Sequence, residues 1–313
     1  MLEVNQLSKS FGSIRAVDRI SFKVRKGEIL GFLGPNGAGK STTMRMITGF
    51  IPPSSGTAVI GGMDISTRPT LARQKIGYLP ENAPVYPDMT VSGYLGFCAE
   101  VRGFGGAERA RIVEETIGRC FLSEVKQQVI STLSKGFKQR VCFAQSILHD
   151  PEYLILDEPT DGLDPNQKHE VRLMIKQMSR DKVIILSTHI LDEVDAVCTR
   201  AIIIADGAII ADDTPEGLRM QSSLHGAVCL SVQGAESSAL LSCLQNIQGV
   251  KAAEILKEAA GDITVRVYPE DPQLSIAELI MSSLTEHGFQ IHSLFVEQGR
   301  LDEVFRAITT KQL

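Results

Sequence analysis

A glycine-rich loop that ends in lysine and serine is the strongest candidate site in the sequence. Residues 34–41 match the pattern G-x-x-x-x-G-K-[ST], which chance produces in about one chain in a hundred of this length. The glycines let backbone N–H groups point at phosphate oxygens, lysine neutralises the terminal phosphates and serine ligates Mg²⁺. The predicted nucleotide-binding residues are Gly34, Pro35, Asn36, Gly37, Ala38, Gly39, Lys40, Ser41 and the following Thr42.

Two carboxylates follow a short apolar strand much later in the chain. Residues 153–156 read Tyr-Leu-Ile-Leu, and Asp157 and Glu158 come directly after them. In a parallel sheet the carboxyl ends of strands meet at the edge where ligands bind. Beside a phosphate loop, Asp157 would hold Mg²⁺ and Glu158 would accept a proton from an attacking water. Without that loop, the pair would be interpreted as a solvated turn.

A second candidate phosphate contact lies at a predicted helix start in residues 133–140. Ser134 and the amide of Gly136 are placed to donate to a phosphate, because helix N-termini attract anions. Simple capping of the helix by Ser134 explains the same spacing equally well. One nucleotide does not need two such sites on one subunit, so the second would serve the ATP of a neighbouring subunit.

Short apolar strands alternate with amphipathic helices up to about Asp213. This pattern predicts an α/β domain with parallel strands over residues 1–218, including a helical part at about 82–150. A polar stretch follows, and residues 226–313 then show the order β-α-β-β-α-β, with Gly261-Asp262 as the turn between the two middle strands. That order predicts a small ferredoxin-like α+β domain.

The net charge, the cysteines and the distribution of apolar residues indicate which kinds of partner to expect. The 313 residues carry a net charge of −5, which gives no reason to expect a nucleic-acid partner. The six scattered cysteines fit free thiols in a reducing compartment. Neither a signal peptide nor an apolar run of about 20 residues is recognisable. We therefore expect any membrane role to come through a separate chain.

Five motifs together resemble those of ATP-binding cassette (ABC) transporter subunits: residues 34–41, 133–140, 156–159, 162–165 and 187–189. The resemblance covers residues 2–218 and implies a P-loop NTPase cassette that hydrolyses ATP with Mg²⁺ in a head-to-tail dimer of itself or a related subunit. It implies that Phe11 stacks on adenine, Glu158 is the catalytic base and His189 contacts the γ-phosphate. It also implies that Asp164 crosses the dimer interface, and that each phosphate loop faces the neighbour's signature residues, Ser134, Lys135, Gly136, Phe137 and Gln139.

The sequence departs from the family pattern at two places. Glu81 stands where the family has a glutamine that contacts the metal, and we expect it to keep that role as a Mg²⁺ ligand. Lys135 and Phe137 stand where the common signature has Gly and Gln. Ser134 and Gly136, the expected phosphate contacts, are retained, so neither departure predicts an inactive protein.

The resemblance further implies a subunit that powers transport through a separate membrane permease, held at the cytoplasmic face of the membrane. Residues 82–129 would dock a cytoplasmic helix of that permease. The C-terminal domain and the stretch from Ile76 to Asn82 resemble exporters of the multidrug and gliding-associated types. A soluble ABC-type ATPase of DNA repair or translation, a nucleotide-sensing module without catalysis, and an importer subunit remain as alternatives.

Overall fold

The structure is a computed structural model that describes residues 1–81, 85–259, 261–272 and 274–310. The chain divides into two compact units, Met1–Thr214 and Pro215–Leu313. Asn82, the first residue of the expected docking stretch, lies outside the described residues.

The first unit contains the predicted alternation of strands and helices. Its strands are β1 (Leu2–Phe11), β2 (Ile14–Val24), β3 (Ile29–Leu33), β4 (Ser55–Ile60), β5 (Met63–Asp64), β6 (Ile76–Leu79), β7 (Tyr153–Asp157), β8 (Val183–Thr188), β9 (Arg200–Ala205) and β10 (Ala208–Asp213). Its α-helices are α1 (Lys40–Ile47), α2 (Pro69–Gln74), α3 (Val91–Val101), α4 (Gly106–Arg119), α5 (Lys135–Ile147), α6 (Pro165–Ser179) and α7 (Leu191–Val197).

A six-stranded sheet in the order β10-β9-β3-β8-β7-β6 forms the centre of this unit. Its strands run parallel except for the pair β9 and β10, which is antiparallel. Every residue of β3, β7 and β8 is buried, because helices or a second sheet cover both faces. This double burial explains why these strands are continuous apolar runs. The order places the carboxyl end of β8 between those of β3 and β7.

The N-terminal strands form a separate layer that the sequence did not predict. β1, β2, β4 and β5 build an antiparallel sheet in the order β2-β1-β4-β5. Their alternating apolar residues face a core shared with α1 and with one side of the central sheet; among its members are Leu2, Val4, Phe22, Phe32 and Met44. The other core cluster of the unit joins α3, α4 and α5 to the opposite side of the central sheet.

The second unit follows the predicted order. It contains α8 (Pro215–Arg219), β11 (His225–Gln233), α9 (Ser237–Gln245), β12 (Val250–Ala259), β13 (Asp262–Pro269), α10 (Ala277–Glu286), β14 (Gln290–Gln298) and α11 (Leu301–Thr310). The strands pair antiparallel in the order β12-β13-β11-β14. The turn at Gly261-Asp262 joins β12 to β13, the two middle strands in chain order, as the sequence predicts.

Apolar residues on one face of this second sheet pack against α9 and α10. The buried set is Val228, Leu230, Val232, Ile263, Val265, Val267, Leu240, Leu244, Ile280 and Leu284. A hydrophobic core of its own is what a small domain needs to fold as a unit. The described helices of both units are all too short or too polar to cross a bilayer.

Candidate active site

The phosphate loop connects β3 to α1 and has a backbone that requires glycine. Gly39 adopts φ +106°, and a Cβ there would lie 2.5 Å from the carbonyl oxygen of Ala16. Lys40, at the start of α1, is buried, and its amine donates to the carbonyl oxygens of Gly34 at 2.8 Å and Pro35 at 3.2 Å. Burial lowers the pKa of Lys40, while the nearby carboxylates of Glu158, Asp157 and Glu81 act in the opposite direction.

Asp157 lies at the carboxyl end of β7, beside Ser41 and Ser187. The hydroxyl of Ser41 donates to its Oδ1 at 3.1 Å, and the hydroxyl of Ser187 donates to the same oxygen at 2.5 Å. Its Oδ2 is buried and has no hydrogen-bond partner. A buried carboxylate oxygen without a partner is costly, and a bound cation would satisfy it. Mg²⁺ commonly binds through one or two protein oxygens plus phosphates and water, so Ser41 and Asp157 fit this ion.

Glu158 is held between two cationic or potentially cationic side chains. Its Oε1 lies 3.8 Å from the amine of Lys40, and its Oε2 lies 3.0 Å from Nδ1 of His189. Burial raises the pKa of this carboxyl, and contacts with His189 and Lys40 oppose the rise. A carboxylate with a raised pKa is a better proton acceptor than an exposed one. The arrangement suits a general base beside the phosphate loop.

The backbone of Glu158 is fixed by β8. Its φ is +51°, an uncommon conformation for a residue other than glycine. The N–H of Glu158 donates to the carbonyl oxygen of Ser187 at 3.2 Å and approaches the hydroxyl of Ser187 at the same distance. Strained backbone of this kind persists where surrounding contacts hold it, often at functional sites. Here the contacts come from the neighbouring strand.

A cleft of about 540 Å³ brings these residues together. Its lining comes from the phosphate loop, from the ends of β6, β7 and β8, and from the segment after β7: Asn36, Gly37, Gly39, Lys40, Ser41, Thr42, Glu81, Glu158, Asp161 and His189. Glu81 therefore faces the same space as the phosphate loop. Phe11 lies elsewhere, at the end of β1, with about half of its surface exposed and the amine of Lys9 5.2 Å from its ring centre.

The signature residues lie at the first turn of α5 and not in this cleft. Ser134 is the N-cap of α5, since its hydroxyl accepts from the N–H of Phe137 at 3.3 Å. Capping, one of the two interpretations of this serine, is therefore present. Asp164 is likewise the N-cap of α6 and accepts from the N–H of Gln167 at 2.9 Å.

Sequence reasoning missed three polar residues that shape the site. Ser187 had no assigned role, although its position just before Thr188-His189 at the end of an apolar strand was a signal. Asp161 lines the cleft, and Glu193 accepts hydrogen bonds from the hydroxyls of Thr160 and Thr188. Glu193 lies in α7, and no spacing in the sequence connects it to the segment after β7.

Comparison with known proteins identifies the family. The family described as "ABC transporter" matches residues 17–161. The linearmycin resistance ATP-binding protein LnrL of Bacillus subtilis (strain 168) is 32% identical over 316 aligned positions, which cover 100% of this chain and 99% of that protein. The chain belongs to the ABC transporter family.

Two further comparisons agree with this assignment. The Nod factor export ATP-binding protein I of Ralstonia nicotianae is 32% identical over 314 positions, covering 100% of this chain and 95% of that protein. A solved ATP-binding subunit of an ABC transporter is 31% identical, with a TM-score of 0.65 over 71% of this chain and 92% of its own length. This ABC protein is thus an ATP-binding subunit and an ATPase, and the predicted fold and activity are confirmed.

Proposed function

We propose that this ABC ATPase powers export through a separate membrane permease, by closing and reopening a head-to-tail dimer around two ATP molecules. The observation that carries hydrolysis is the placement of Glu158 between Lys40 and His189 at the phosphate loop. Export is supported by relatives that align over the whole chain, among them an ATP-binding protein of Nod factor export.

In the proposed mechanism the loop from Gly34 to Ser41 binds the phosphates through its backbone amides, and Lys40 neutralises the terminal ones. Ser41 and Asp157 would hold Mg²⁺, with Glu81 at the cleft edge as a further oxygen ligand. The bound ion would neutralise charge on the β- and γ-phosphates. Catalysis of phosphoryl transfer is mainly positioning and electrostatic stabilisation, and both are within reach of these side chains.

Glu158 acts on the attacking water. The water oxygen bonds to the γ-phosphorus, the bond from that phosphorus to the bridging oxygen breaks, and Glu158 accepts the proton. His189 holds Oε2 of Glu158 at 3.0 Å and lines the cleft, where it would contact the γ-phosphate. Phe11 would stack on the adenine from the end of β1.

The signature residues of this chain would complete the ATP-binding site of the neighbouring subunit. The residues of this signature lie around the first turn of α5 and do not line this chain's own cleft: Ser134, Lys135, Gly136, Phe137 and Gln139. A contact that serves another subunit's nucleotide is expected to lie outside the chain's own site. Asp164 would cross the same interface.

The permease would dock at a groove of about 280 Å³, which Arg102 of the expected docking stretch 82–129 lines together with residues outside that stretch. Phe50, Arg73, Tyr78 and Arg102 contribute to its lining, and Phe50 is 72% exposed. Two arginines beside an exposed aromatic ring suit a permease helix that carries an apolar residue next to a carboxylate. This docking would attach the ATPase to the membrane.

The test uses the chain together with a candidate permease, namely a multi-span membrane protein encoded by a gene next to that of the ATPase. Membranes containing that protein should bind the purified ATPase, and Phe50→Asp should weaken this binding by about tenfold or more, as loss of a central aromatic anchor does. Phe121→Asp is the matched control, because Phe121 is 52% exposed but lies outside the groove. Both variants should keep the ATPase rate of the isolated chain.

Two results would count against the proposal. The first is equal binding of Phe50→Asp and Phe121→Asp to these membranes, which would show that the docking surface lies elsewhere. The second is a neighbouring membrane protein that fails to bind the unmodified ATPase or to change its rate of phosphate release. Either a soluble role or a different partner would then be favoured.

A further inference from the structure

The first turn of α5 rests on the chain segment that follows the catalytic glutamate. The amine of Lys135 forms an ion pair with Oδ2 of Asp161 at 3.2 Å. Four residues further along α5, the side-chain amide of Gln139 donates to the carbonyl oxygen of Pro159 at 3.3 Å. Two successive turns of the signature helix therefore hold the same short segment.

Lys135 also occupies the space beside Gly162. A Cβ built on Gly162 would overlap the side chain of Lys135, and Gly162 has φ +67°. The lysine stem thus packs directly over the backbone of the segment, in addition to pairing with Asp161. The backbone conformation favours glycine at 162, and the absence of a side chain there leaves room for the lysine.

The segment held by Lys135 belongs to the chain's own ATP site. Asp161 lines the cleft together with Glu158, and the N–H of Asp161 donates to the carbonyl oxygen of Glu158 at 3.2 Å. A continuous set of contacts therefore runs from Lys135 through Asp161 to Glu158. The start of α5 is thereby linked to the main chain of the proposed general base.

The ion pair has little value for stability. Both side chains are more than half exposed, and exposed ion pairs contribute little in water. The common family signature has glycine at this position, which could make none of these contacts. A lysine there adds a link between two functional segments, and this link is its main structural consequence.

We propose that Lys135 is a positioning residue that couples the two ATP sites of the dimer. The inference rests on the proposed function, in which the start of α5 contacts the neighbour's ATP. When that ATP engages the signature, Lys135 transmits the engagement through Asp161 to Glu158 of its own chain. Hydrolysis at one site then depends on occupancy of the other.

The test compares ATP hydrolysis by Lys135→Gln, Lys135→Arg, Asp161→Asn and the double variant Lys135→Gln/Asp161→Asn. We expect Lys135→Gln to lower kcat about fivefold or more, the lower end of coupling between two sites, and to bring the Hill coefficient for ATP toward about 1. KM should stay within about twofold. Lys135→Arg should restore both values, since arginine can still pair with Asp161.

The double variant separates indirect from direct action. If Lys135 acts through Asp161, the double variant loses no more activity than the more damaging single one. Additive losses would show that Lys135 acts directly on the neighbour's phosphate and would overturn the proposal. Unchanged kcat and Hill coefficient in Lys135→Gln would also overturn it. Lys126→Gln is the matched control, because it removes another surface ion pair of a lysine, 2.7 Å from Glu114, outside the cleft.

Dimer formation distinguishes this inference from the function on which it rests. Glu158→Gln protein with ATP and Mg²⁺ should run as a dimer in light scattering, and so should Lys135→Gln/Glu158→Gln. If the first stays monomeric, the dimer is rejected and this inference with it. If both dimerise while Lys135→Gln hydrolyses ATP like the unmodified protein, the inference alone is rejected.

Discussion

Replacing Glu158 by glutamine tests the assignment of the catalytic base. Glutamine has nearly the same shape, and its side-chain oxygen can still accept from His189, which lies 3.0 Å from Oε2. The backbone contact from the N–H of Glu158 to Ser187 does not involve the side chain of residue 158. The substitution therefore removes the ability to accept a proton while it leaves the local geometry in place.

The expected loss of ATP hydrolysis rate follows from the role of the carboxylate as a proton acceptor. General-base catalysis contributes about 10²- to 10⁴-fold to a rate. The corresponding rise in the activation barrier is about 3–5 kcal/mol. Binding of ATP should be retained or strengthened, because a negative charge 3.8 Å from the Lys40 amine is lost beside the phosphates.

The assay measures phosphate release at saturating ATP and the dissociation constant of a fluorescent ATP analogue. Glu152→Gln is the matched control, since Glu152 precedes β7 at its opposite end and forms an exposed ion pair with Lys75 at 3.0 Å. That variant should hydrolyse ATP at the unmodified rate. A Glu158→Gln protein whose kcat falls by less than about threefold, with ATP binding intact, would refute the base assignment.

Three other predictions address the lid position, the pH dependence and the core. Glu81→Gln should keep ATP turnover within about tenfold, or about 1.4 kcal/mol in barrier, because an amide oxygen can still bind the metal or order water; complete loss of phosphate release would contradict this. Since burial raises the pKa of Glu158 above the usual 4.5, and the ionised form is the base, kcat should fall as pH decreases through a midpoint above 4.5 and level off at higher pH. An acid limb centred at or below 4.5 in a rate profile would count against that assignment. Phe143→Ala should lower the free energy of unfolding of the first unit by about 3–5 kcal/mol, as measured by urea denaturation. The reason is that this ring in α5 is 1% exposed within a packed cluster. A change below about 1 kcal/mol would mean that the site collapses around the smaller side chain.

The phosphate loop and the two carboxylates were predictable from sequence because each is defined by a short run of consecutive residues. A strand, a glycine-rich loop and a helix follow one another within residues 29–47, and glycine, lysine and serine have defined roles in binding phosphate. The carboxylates Asp157 and Glu158 were found in the same way, at the end of an apolar strand. The β-α-β-β-α-β order of the second unit was likewise visible in the alternation of short segments.

The tertiary structure decided which of these segments meet. The pairing of β8 with both β3 and β7 joins residues far apart in the chain, and no local pattern specifies it. That pairing places Ser187 against Asp157 and fixes the backbone of Glu158. The contact between Lys135 and Asp161 has the same origin, since helix packing brings the first turn of α5 against the segment after β7, 26 residues away in the sequence. The sequence by itself determined the chemistry available at each loop, whereas non-local strand pairing and helix packing determined which oxygen is left for a metal and which side chains are linked.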